Sequence, residues 1–273
     1  MIKSVLTMGA ALLAFGVTTA EARTFGHVAG GLSYVDDDDF LNQNADAWSY
    51  GFQGAVGFDL TPSWNLQLGA AYSNQENDFQ FAQGYSVDNW NAGAIAFWRD
   101  PSKGMVGGEV AYQRTQGSYT DTSWDGYLIG IRGEYYAPSY TIGGSLNYNT
   151  FEYSEYNYDL NAYAGDVFIT YYAGDRVGVT GRISFSSTDF PSTAPSYDRW
   201  TLGADVEYLV TENFSVSAVA SYVAHDYFTE DFKTFKLGAE LKFYFGTEGS
   251  LSAQHRTSTL KPSESSLGIY MFD

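Results

Sequence analysis

From Trp200 every second residue is apolar or aromatic: Trp200, Leu202, Ala204, Val206, Tyr208 and Val210 alternate with Thr201, Gly203, Asp205 and Glu207. The pattern recurs. Phe235, Leu237, Ala239, Leu241, Phe243 and Phe245 stand against Lys236, Gly238, Glu240 and Lys242, and Trp64, Leu66, Leu68, Ala70 and Tyr72 against Asn65, Gln67, Gly69, Ala71 and Ser73. Val177, Val179, Ile183 and Phe185 oppose Arg176, Thr180, Arg182 and Ser184 in the same way. Successive side chains of a strand point to opposite faces, so each stretch reads as one strand with an apolar face and a polar face. No run of period 3.6 and no linker interrupts this texture after Arg23, which reads as a single all-β domain.

The breaks between stretches are of two kinds, and they alternate. Short ones fall at Thr61-Pro62-Ser63, Asp100-Pro101-Ser102-Lys103, Ala137-Pro138-Ser139, Gly174-Asp175 and Thr211-Glu212-Asn213, rich in residues that favour turns. Longer polar stretches at 36–46, 76–86, 117–122, 152–157, 187–198 and 226–231 lie between them and read as loops. This is an antiparallel up-and-down meander with one tight rim and one loop-bearing rim. Twelve strands follow, near 24–35, 47–60, 64–75, 87–99, 104–116, 123–136, 140–151, 158–172, 176–187, 199–210, 214–225 and 233–245.

Aromatic residues mark the ends of these strands. Trp48, Trp90, Trp124 and Trp200 stand at the loop end, and Phe58, Trp64, Trp98, Tyr135, Tyr140, Tyr171, Tyr208, Phe214 and Phe243 at the tight end. The two sets are separated by the length of a tilted strand crossing a hydrocarbon layer, with the rings at its two boundaries. A sandwich core would have no place for the charges on the other face, whereas a closed transmembrane β-barrel turns them inward and leaves no sheet edge in lipid. Residues 1–22 fit the entry route: Lys3, the apolar run Val5–Val17 and Ala20-Glu21-Ala22 have the layout of a secretory signal peptide. The chain has 32 acidic against 14 basic side chains, a formal charge of −18, and no cysteine. With no basic cluster, nucleic acid is not an expected partner, and thiol chemistry and disulfides are excluded.

The stretch Lys236-x-Gly238-x-x-Leu241-x-Phe243 resembles the last-strand signal of Gram-negative outer-membrane porins and related barrels, with a looser copy at Thr201, Gly203, Val206 and Tyr208. The resemblance implies an outer-membrane location, surroundings of lipid and lipopolysaccharide, and recognition of Lys236, Gly238, Leu241 and Phe243 by the barrel-assembly machinery. It is a likeness of the whole class, and the chain departs from it by continuing to Asp273. That leaves three segments: signal peptide 1–22, transmembrane barrel 23–245, and 246–273. The last reads as a periplasmic extension rich in Ser and Thr, or as an extra hairpin that would bring the strands to fourteen. Gln254, His255 and Arg256 argue against a lipid-facing strand there.

If the apolar stripes face lipid, the lumen is lined by Asp59, Glu109, Arg132, Glu134, Arg182, Asp205, Glu207, Glu240 and Lys242. This mixed wall with acid in excess predicts a diffusion channel for small polar solutes, mildly favouring cations or neutral molecules. The competing reading is structural, with Arg132–Glu134 and Glu240–Lys242 as ion pairs plugging a narrow bore. A second class is an adhesive or structural barrel acting through acidic, Tyr-rich loops, and a remote third is an outer-membrane hydrolase. Hydrolysis needs a histidine beside a nucleophile or carboxylate, and in His225-Asp226 adjacent strand residues point to opposite faces. His27 shares inward parity with Ser33 but is too far along the strand for a hydrogen bond. The sequence therefore predicts no catalytic residue and no cofactor. Asp36–Asp39 reads as a solvated loop rather than a Ca²⁺ site, since it lacks any recognised ligand spacing.

Overall fold

A computed structural model describes residues 23–40, 43–78, 83–118, 123–153, 158–189, 196–227 and 230–261; the expected signal peptide at 1–22 and the last twelve residues lie outside these. Twelve antiparallel strands form one closed barrel in chain order. They are β1 (Thr24–Phe40), β2 (Gln43–Asp59), β3 (Trp64–Asp78), β4 (Gln83–Asp100), β5 (Gly104–Gly117), β6 (Ser123–Ala137), β7 (Tyr140–Tyr153), β8 (Tyr158–Ala173), β9 (Val177–Asp189), β10 (Tyr197–Thr211), β11 (Phe214–Tyr227) and β12 (Glu230–Phe245). Closure is made by β1 against β12, in a register running from Gly26 opposite Phe245 to Asp38 opposite Lys233. Every neighbouring pair is joined along its length, so no edge is left within the wall.

The alternation is reproduced as two faces. Val28, Leu32, Phe52, Val110, Ile129, Ile131, Leu146, Val167, Ile183, Leu202, Leu237 and Leu241 are exposed on the outside, whereas His27, Gln67, Glu109, Thr180, Glu207 and Ser217 are buried inside. An apolar outer belt of this extent is the inverse of a soluble protein and the expected surface of one solvated by lipid. Trp48, Trp64, Tyr135, Tyr171, Trp200, Tyr208 and Phe243 face outward at the two ends of this belt. Trp124 does not. It lies on the inward face of β6 and is 3% exposed, while the outward ring nearest to it is Tyr127. Parity decides this: Ile129, Ile131 and Tyr135 share the outward set with Tyr127, so residue 124 falls on the other face.

The strands run further at the loop end than the alternation indicates. β1 continues to Phe40 and β2 begins at Gln43, so Asp36–Asp39 belongs to a strand rather than a loop. Beyond the lipid boundary both faces of a hairpin meet water, so the hydrogen-bond ladder continues after the apolar stripe has stopped.

After β12 the chain follows neither course expected for it within 246–261. A helix, α1 (Leu251–Thr257), replaces any further strand; Leu251 and Gln254 are buried and its other residues are half-buried rather than fully solvated. Gly246, at φ +67, makes the bend, and its carbonyl accepts from the Arg23 guanidinium at 2.9 and 2.6 Å. Ser250 caps the helix by accepting from the Ala253 amide at 3.3 Å, and His255 and Arg256 occupy its last turn. The bend and the cap turn this segment back into the lumen.

Candidate functional site: the lumen and its C-terminal segment

All nine charged residues expected to line the lumen lie on the inward parity of their strands. The structure draws several together. Glu207 accepts from Ser215 Oγ at 2.5 Å and Tyr244 Oη at 2.8 Å, and Lys242 Nζ lies 3.3 Å from it and 3.4 Å from Glu240. Gln53 Nε2 donates to Glu240 at 3.1 Å. Arg132 pairs with Glu109 at 3.8 Å, not with Glu134 two places along its own strand. Gly130 is the reason: it stands opposite Glu109 on β6 without a side chain and so lets the carboxylate lean across. Arg182 pairs with Asp166 at 3.9 Å. Asp59, Glu134 and Asp205 face the lumen outside these clusters.

The inward wall also carries Lys236, from the β12 alternation, together with charges that the cleanest alternating stretches did not reveal: Arg99, Asp166 and Arg199. They add three bases and one acid, and residues 246–261 bring in Arg256 and Lys261. The acid excess behind the expected preference for cations is therefore cancelled among these described residues.

Residues 247–261 fill the end of the lumen nearest the short turns. Leu251 is fully buried against Leu209 and Tyr244, and its amide donates to the Asp175 carbonyl at 2.7 Å. Gln254 Nε2 donates to the Glu212 carbonyl at 2.7 Å, and its side-chain oxygen accepts from Thr247 Oγ1. His255 bridges the wall: Nε2 lies 3.0 Å from the Glu207 carboxylate, and Nδ1 3.2 Å from the Tyr172 hydroxyl. Arg256 donates to the carbonyls of Ala137 and Tyr140 and lies over the rings of Tyr136 and Tyr172. Past the helix Ser258 is extended, and the main chain from there on is gripped by side chains. Arg99 donates to the Ser258 carbonyl at 2.7 Å, and Arg132 to that of Lys261 at 2.8 Å. The Gln67 amide both donates to the Leu260 carbonyl at 2.8 Å and accepts from the Leu260 amide at 2.7 Å. Thr259 Oγ1 meets His27 Nδ1 at 2.7 Å, and the Leu260 side chain enters a cluster of Phe25, Ile95, Phe97, Met105 and Tyr136.

Sequence reasoning missed this arrangement because a polar tail carries no periodic signal. The clues were local: a Ser before Leu251, bases at 255 and 256, and Arg99 on inward parity.

Near the loop end, His225 faces inward between the hydroxyls of Tyr197 and Thr234, the latter 3.1 Å from Nε2, while Asp226 points out of the wall. The pair His225-Asp226 is thus split across the sheet. On the outer face, a hollow of about 810 Å³ floored by Ala94, Ala96 and Gly108 and flanked by Leu66, Ile131 and Tyr163 belongs to the apolar belt.

No protein-family profile matches the chain, and no curated protein resembles it in sequence. Solved structures do resemble it in fold. The beta domain of the Bordetella autotransporter BrkA aligns at a TM-score of 0.56 and 13% identity over 81% of this chain and 100% of that one. The translocator domain of the autotransporter NalP from Neisseria meningitidis gives 0.55 at 10% identity, over 89% and 96%. An outer membrane channel from Pseudomonas putida gives 0.56 at 12% identity, over 81% and 95%. With its apolar outer belt and closed wall of twelve strands, the chain has the fold of the bacterial outer-membrane β-barrels.

Proposed function

We propose that the protein is an outer-membrane channel for passive diffusion of small polar solutes, the short-turn mouth of which is occupied by its own C-terminal segment. The observation that carries this reading is the inner wall, where Gln53, Gln67, Glu109, Arg132, Arg182, Glu207, Glu240 and Lys242 project into a bore closed to lipid. Charged and amide groups in such number are stable there only with water or with one another, and they are compatible with hydrated solutes. The Pseudomonas putida relative in fold is itself an outer membrane channel. Lipid and lipopolysaccharide would surround the outer belt, and the assembly machinery would read Lys236, Gly238, Leu241 and Phe243. Of these, Leu241 and Phe243 face outward on the closing strand.

Planar-bilayer recording tests the reading. The purified protein, shown to be folded by its heat-modifiable gel mobility, is expected to give stepwise ionic conductance. Silence of the folded barrel both at full length and with residues 246–273 removed would overturn it.

A further inference from the structure

We propose that the short-turn half of the lumen is a receptor for a polypeptide segment made of a short helix and the stretch that follows it, that residues 246–261 are its resident ligand, and that the bore conducts when this segment is out. The conducting step rests on the channel reading above; the receptor does not.

The wall is built as peptide receptors are, with main-chain brackets and side-chain pockets. Gln67 satisfies both the amide and the carbonyl of Leu260, as a neighbouring strand would, and Arg99 and Arg132 hold the carbonyls of Ser258 and Lys261. These three side chains come from β3, β4 and β6, so they converge on one strand-like ligand from separate parts of the wall. Phe25, Ile95, Phe97, Met105 and Tyr136 take the side chain of Leu260; Leu209, Tyr244 and the space above Gly178 take that of Leu251. Between the two pockets, His255 docks on Glu207 and Arg256 on the carbonyls of Ala137 and Tyr140.

The attachment is of a kind that can release. Apart from two leucines and the Arg256 guanidinium over the rings of Tyr136 and Tyr172, the segment is held by hydrogen bonds to His27, Gln67, Arg99, Arg132, Tyr172 and Glu207 and to main-chain carbonyls of the wall, groups that water can satisfy once the segment leaves. A bend at Gly246 and a second positive-φ glycine at 249 (φ +109) connect it to β12, so it can swing without disturbing the wall.

Two measurements on the barrel lacking residues 246–273 test this. In detergent, a fluorescein-labelled synthetic peptide of residues 248–261 is expected to bind saturably by anisotropy. Binding should weaken roughly tenfold or more with Arg99→Ala or Gln67→Ala, each of which removes a main-chain bracket. The absence of saturable binding to a barrel of folded mobility overturns the receptor. In planar bilayers the truncated barrel should stay open far longer than the full-length protein, and the peptide added on the short-turn side should close it. Equal open times overturn the plug while leaving the channel standing. If both forms are silent the channel reading falls, and the anisotropy result still decides the receptor. Should the truncated chain not fold, full-length Gln67→Ala/Arg99→Ala replaces it. Longer openings and faster trypsin cleavage after Arg256 are then expected, and openings and cleavage like those of the parent protein overturn the proposal.

Discussion

Glu207 shows how tightly one side chain can bind wall to ligand. It is nearly inaccessible, and Ser215, Tyr244, Lys242 and His255 all direct donors or positive charge at it. Removing one member of such a group leaves the others desolvated and unpaired, which outweighs the Coulomb energy lost. Glu207→Leu is therefore expected to destabilise the barrel by about 3–5 kcal/mol, measured by urea unfolding in phospholipid vesicles. His255→Ala leaves Glu207 its other three partners and is expected to cost about 1–2 kcal/mol or less in the same measurement. Gly246 provides a second test. Its positive φ and a site for Cβ only 2.0 Å from the Thr24 carbonyl oxygen leave no room for a side chain. Gly246→Val should unseat the segment from the lumen, read as faster trypsin cleavage after Arg256 with unchanged heat-modifiable mobility.

Strands carry the depth information. In β6, Ile131 lies mid-strand and is 62% exposed, whereas Tyr135 lies two residues before its end at Ala137. A charge on the lipid face costs most at the bilayer midplane. Ile131→Arg is expected to cost about 2–4 kcal/mol and Tyr135→Arg about 0–1 kcal/mol, again by urea unfolding in vesicles. Equal costs would mean that the belt does not lie across a membrane. The same strands show what was legible in the sequence. Number, order and facing of the strands follow from a period of two and from the two kinds of turn, and for that reason the alternation alone assigns Glu207, Glu240 and Lys242 to the inward face. Strand ends were not legible, because hydrogen bonding continues into water where apolar alternation has no cause to persist. Trp124 shows the converse limit: a Trp at a strand end suggests a girdle by type, but parity assigns it to the lumen. Residues 247–261 carried no periodic signal at all, since their positions are set by contacts with Gln67, Arg99 and Arg132, remote in sequence.

The assembled barrel also accounts for where the formal charge of −18 resides. Apart from the lumen, acids collect on outward positions at the loop-bearing rim, where pairing sets like against like: Asp36 opposite Asp46, Asp125 opposite Glu152, Glu152 opposite Asp159, and Asp198 opposite Asp226. Like charges facing each other across strands repel. Salt shortens the Debye length from about 30 Å at 0.01 M to about 10 Å at 0.1 M, so the barrel should unfold at higher urea concentration as salt rises through that range. In the arrangement proposed above, the bore is closed by the chain's own segment. Because the sequence has no cysteine, that closure can be locked at will. His27→Cys with Thr259→Cys places thiols at positions whose side chains now meet, and a short reducible bis-thiosulfonate linker would tie the segment into the lumen. The decisive measurement is the single-channel conductance of this linked protein before and after reduction. The linked form is predicted to be silent and the reduced form to conduct, whereas the same conductance in both states would mean that the segment does not close the bore.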